Sequence, residues 1–312
     1  LRHRAGPRSH GELRRGGGPP RDSSHRARVT GRALAGAAVV PAAPLMLPEA
    51  SHEQAPEIRD DVRELRRVAR AALDALAAFD VAVLVASGPR GVHDQALASL
   101  APLGVPEAAV QLPVDKEAVE HLSRLTQYPM FRGDPLGISH SVLALQLQAA
   151  RGLVPVVPVN VPTAAEFDVL VSVGASIAES ARDAGKLAVV ICSGDLSAGL
   201  DEASPAHTIA SAPDWDAAVV AAFEKGDLTA LRELGPRDAE RVRSLGWAPL
   251  AVLHGACASG RLRPSLLCYR APRGVGQLVA RCLPVPSPDR YGRAAPGHEH
   301  DGVVPRTGDP RG

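Results

Sequence analysis

The chain has 312 residues, 45% of them hydrophobic and only 3% aromatic, so a sizeable core must be built mainly from Ala, Val and Leu. Thirty-five Lys and Arg against 34 Asp and Glu leave a formal charge of +1, which removes any global electrostatic case for nucleic acid or an anionic membrane as partner of the core. No apolar run approaches the ~20 residues of a membrane-spanning helix.

Residues 1–32 carry nine Arg and two acids, Glu12 and Asp22, among Gly, Pro and Ser. They show no apolar period and read as a disordered Arg/Gly-rich extension. Such segments bind RNA with aromatics interleaved, and this one has none. Residues 284–312 read as a second disordered tail. The folded unit is therefore 33–283, and within it strands and helices alternate. Residues 33–40 form a short apolar run ending at Pro41. Residues 57–79 place Ile58, Val62, Leu65, Ala69, Ala72 and Leu76 at helical steps. Residues 81–87 read as a buried strand closed by Gly88-Pro89, and 115–125 as a helix capped by Asp115. Residues 136–150 are helical. Residues 154–161 are β-rich, but Pro155 and Pro158 predict an edge or irregular strand. A long helix over 165–185 closes at Gly185, and 187–193 is another buried strand, breaking into a polar turn at Ser193–Ser197. Helices follow at 215–227 and in two shorter segments. Residues 248–260 are an apolar helix or strand, and 262–282 two strands joined by Ala271–Gly274. Continuous apolar strands between helices predict one α/β domain, a central mixed sheet with helices on both faces.

Cys192, Cys257, Cys268 and Cys282 show no CxxC spacing, and three lie in or beside apolar runs. They read as small core residues in a reducing, cytoplasmic setting. No nucleophile elbow surrounds Ser193 or Ser197, and 270–277 lacks both the dinucleotide fingerprint and the phosphate-loop lysine. His298, Glu299, His300 and Asp301 sit in the tail, where only adventitious metal binding is expected.

The order of turns carries more information. A strand runs into Pro41-Ala42-Ala43-Pro44, and another into SGPRGVHD (87–94). Ser139-His140-Ser141 precedes a Val-Pro-rich strand, and a further strand runs into SGDLS (193–197). Gly255-Ala256 and APRGVG (271–276) follow. This order resembles the B-type subunits of the class III extradiol ring-cleavage dioxygenases, with the Memo-like proteins as relatives, over about residues 34–283. The resemblance implies an Fe(II)- and O2-dependent opening of a catechol-type ring, with iron on two His and a carboxylate and a His moving the proton. Carried over position by position, the first metal His falls on Ala42 and the second on Arg90. One acid/base His falls on Ala198, and the carboxylate falls in 243–256, which holds no acid; Glu240 stands too early. His140 matches the other acid/base His. The resemblance therefore implies the fold, with catalysis lost or altered and Fe(II) not retained. The alternative is a non-catalytic small-molecule-binding or protein-interaction domain on the same fold.

Besides His140, Asp195 is a candidate pocket residue, equally readable as a turn former. His93, with Asp94 beside it, is expected in an exposed loop. His93 and His254 are metal candidates that would need to converge with His140. His207 is a further scattered imidazole. The implied partner is a small aromatic substrate or ligand, with homo-oligomerisation left open.

Overall fold

The computed structural model describes residues 33–50 and 56–285. The two terminal segments and the tail histidines lie outside the described residues. The fold is the expected one, a mixed sheet with helices on both faces. Nine strands take part: β1 (Leu34–Val40), β2 (Val81–Ser87), β3 (Gly91–His93), β6 (Met130–Phe131), β7 (Val156–Val161), β8 (Ala188–Ser193), β9 (Asp195–Ala198), β10 (Leu262–Arg270) and β11 (Val275–Pro284). The order is β10-β11-β1-β8-β2-β7-β3-β6, with β9 also on β11. The strands β1, β8, β2 and β7 run parallel, while β11 is antiparallel to β1, β9 and β10. A small hairpin, β4 (Leu97–Leu100) with β5 (Val105–Gln111), stands apart from this sheet.

Alternation along each central strand divides the core in two. Val81, Val83 and Val85 face one layer, with the helices α2 (Lys116–Thr126), α4 (Phe167–Asp183), α5 (Ala212–Lys225), α6 (Leu231–Arg241) and α7 (Trp247–Gly260). Ala82, Leu84 and Ala86 face the other, with α1 (Pro56–Asp74), α3 (Ile138–Arg151) and the hairpin. With so few aromatics, the layers close by approach of backbones. On α4 and α7, a Cβ added at Gly174 would meet the Val252 carbonyl, and one at Gly255 the Val171 carbonyl. The Gly255-Ala256 pair is thus a helix-crossing device here.

Three expectations are corrected. The Pro-rich strand is not an edge: β7 lies between β2 and β3. Its β3 flank is paired only at Val156, with Val114, and at Val159 and Asn160, so Pro158 sits where no N–H is needed. Ser193–Ser197 is not a turn closing a strand. Gly194 is a one-residue break between β8 and β9, and a Cβ there would strike the Leu278 carbonyl. His93 is not on an exposed loop but on β3, 4% exposed.

Candidate functional site

The four parallel strands end on one edge of the sheet, and open α/β sheets place ligands beyond the carboxyl ends of such strands. The chain enters β8 between β1 and β2, so the connections change direction at this edge. Most of the residues singled out from the sequence lie along it.

At the β2–β7–β3 end, His93 and His140 come together, their ring centroids 5.9 Å apart. His140 lies in the first turn of α3, under the sheet, and is 1% exposed. Its Nε2 donates to the Leu84 carbonyl at 3.2 Å, which leaves Nδ1 the bare nitrogen of a neutral ring. Burial, with the neighbouring His93 adding to it, brings its pKa down to about 4 against the pull of the Leu84 and Val159 backbone. A ring this weakly basic is a poor proton carrier at neutral pH. The Asn160 amide nitrogen lies 3.0 Å from His93 Nε2 and donates to it, placing the ring proton on Nδ1. That Nδ1 is buried without a hydrogen bond of good geometry, although the Asp134 carbonyl lies close enough to favour the protonated ring. Burial lowers the pKa of His93 more than Asp134 and Asp94 raise it. Phe131 packs on the same ring at 4.9 Å.

At the β1–β8 end, Asp195 is buried and faces inward. Its carboxylate oxygens accept from the Ala42 N–H at 3.1 and 3.2 Å, and Oδ2 accepts from Ser193 Oγ at 2.8 Å. Burial raises its pKa, opposed by the donors Ser193 and Ala42 and by the nearby Gln277 side chain and Ala43 backbone. Asp195 thus clamps the corner where the resemblance puts the first metal ligand.

The other implied ligand positions give no iron set. Ala42 is 2% exposed and offers a methyl group. Arg90 is exposed, its guanidinium 5.7 Å over the Tyr128 ring. No acid stands in α7, and Glu240 is exposed on α6. His254 does not join His93 and His140: its ring packs on Phe167 at 5.6 Å, in the α4–α7 layer. Among the described residues no group of three or more His, Cys, Asp or Glu is arranged to hold a metal. The described residues at the implied positions do not fit an iron held on two His and a carboxylate. Asp94 is engaged by the Gly133 N–H, and His207 is exposed in a left-handed turn.

Several buried polar residues at this end of the sheet, Asn160 and Asp216 among them, are not among those the sequence marks out. Asn160, which orients His93, is hidden in an apolar strand. Asp216, 1% exposed, accepts from the Ser197 N–H at 3.0 Å and the Tyr269 hydroxyl at 2.7 Å. A signal for it exists: an acid three and four residues before Val219 and Val220 stands on an apolar helix face.

No family model matches the chain, and no curated protein does. Among solved structures it is similar to the uncharacterized protein JW3007 from Escherichia coli K12, with a TM-score of 0.50 and 16% identity. The likeness covers 79% of this chain and 98% of that one, and at this identity it is a likeness of fold.

Proposed function

We propose that this chain is an extradiol dioxygenase-like protein without iron-dependent ring cleavage, and that it binds a small aromatic ligand at the carboxyl edge of its sheet. The observation that carries the reading is the fate of the donor set. Where the resemblance requires imidazole, imidazole and carboxylate, the chain has Ala42, Arg90 and an acid-free α7. The two imidazoles that remain at the edge are each tied to protein groups, His140 to Leu84 and His93 to Asn160. They are also held toward the neutral form by burial.

What remains suits binding. Two neutral imidazoles and the half-buried Phe131 ring pack together just beneath this edge, and Nδ1 of His93 is a buried donor without a hydrogen bond of good geometry, which a ligand would reach by displacing the Phe131 and Asp134 cover. A hydroxyl on an aromatic ring would accept from that donor and recover the cost of its burial, ~1–3 kcal/mol. The test is calorimetric titration of catechol into protein treated with chelator. Binding is expected, at least tenfold weaker in His93→Leu, with the near-ultraviolet circular dichroism of the variant unchanged. Absence of binding in the wild type, or equal affinity in the two proteins, would overturn the reading.

A further inference from the structure

A recess lined by none of His93, His140 and Asn160 lies on the α1 and α3 side of the sheet. Between the loop after β1 and the helices α1 and α3 opens a cleft of about 220 Å³. This is below the ~300–1,000 Å³ of pockets for drug-sized ligands, so it suits a single ring or a short chain. Met46, Leu47 and Leu73, all buried, form apolar wall. Arg66 and Arg70, one turn apart on α1, bring two guanidinium groups to it. No carboxylate lines it among the described residues.

The two arginines are only partly used. Nε and Nη2 of Arg66 donate to the Leu45 and Leu47 carbonyls, while Nη1 makes no hydrogen bond among the described residues. Half-burial lowers the pKa of this guanidinium, with Glu49 acting the other way, and it stays charged. Arg70 gives Nε to Asp74 at 2.8 Å. Its two terminal nitrogens have no partner among the described residues. Asp74 answers Arg70, and Glu49 acts on Arg66 without an ion pair between them, so what the cleft offers a single negative charge is the set of unused N–H groups on the two forks. A guanidinium fork in a partly desolvated, apolar-walled site recognises a planar carboxylate better than a compact spherical anion.

We propose that this cleft is a binding site for a small apolar monocarboxylate, its head between Arg66 and Arg70 and its body against Met46, Leu47 and Leu73. The site is independent of the ligand proposed at the sheet edge. The probe is 4-methylbenzoate, titrated calorimetrically into the full chain, with the neutral 4-methylbenzamide as control. The amide is expected to bind at least tenfold more weakly, and Arg70→Gln to weaken the acid severalfold. Ala149, exposed on the rim, gives a blocking variant that leaves the core alone. Ala149→Trp should abolish binding of the acid while leaving the unliganded melting temperature and catechol binding unchanged. Failure of the acid to bind, equal binding of the amide, or full binding by Ala149→Trp would each overturn the proposal. So would displacement by equimolar inorganic phosphate, which would show a generic anion contact.

Discussion

Replacing His140 by Gln should make the protein markedly less sensitive to mild acid. In the unfolded chain the imidazole takes up its proton near pH 6.5; in the fold, buried against Leu84 and beside His93, it does so only at about 4. The folded-state value is depressed, so the stability tied to the neutral ring is fully present above pH 6.5. It is lost as pH falls toward about 4. At ~1.4 kcal/mol per tenfold in proton affinity, the whole effect is about 3 kcal/mol, of which roughly 2–3 kcal/mol is lost by a pH near 4.5. Gln keeps a donor for the Leu84 carbonyl and does not titrate. Urea unfolding at pH 7.5 and at pH 4.5 gives four free energies. Wild type should lose roughly 2–3 kcal/mol more than His140→Gln between the two pH values. His93 remains in both proteins, and its coupling to His140 is part of the difference measured. A difference below ~0.5 kcal/mol would refute the reasoning, because it would mean that His140 titrates normally in the fold.

Two further perturbations test the frame of the site. Asp195→Ala strips partners from the Ala42 N–H and the Ser193 hydroxyl, both buried, and at ~1–3 kcal/mol for each should cost about 2–6 kcal/mol in urea unfolding. Because burial raises the Asp195 pKa, its carboxyl favours folding most below the ordinary value of 3.8, and that part is lost as pH rises through the raised one. The stability gap between wild type and Asp195→Asn should therefore widen as pH is lowered toward 3.8. Gly255→Ala drives a methyl into the Val171 carbonyl on α4, so the two helices must separate. A loss of roughly 1–3 kcal/mol, as for other overpacked contacts, is expected, and a neutral result would contradict the close crossing.

The parts of the fold that could be read in advance are those governed by local pattern. The strand over 81–87, the Asp115 cap and the hairpin turn at 271–274 each depend on residues adjacent in sequence, and each stands where expected. What was hidden depends on pairing between distant segments. The strands β3 and β6 have three and two residues and exist because they pair with each other, while β3 also pairs with β7. Carried on β3, His93 passes from an expected surface loop into the interior. Likewise β9 extends because β11 is there to receive it. Asp195 could be marked as notable at the end of an apolar run, but its partner, Ala42, is 153 residues away. The resemblance drew attention to positions 42 and 90 as ones without a metal donor; that Asp195 engages the Ala42 backbone was not legible.

On the proposed reading the implied donor positions hold Ala42, Arg90 and no acid in α7, which should not support iron-dependent ring opening. Protein reconstituted anaerobically with Fe(II) and desalted should retain far less than one iron per chain, and on addition of catechol and O2 should give no yellow ring-opened product. One tightly held iron per chain with turnover of catechol would contradict the account.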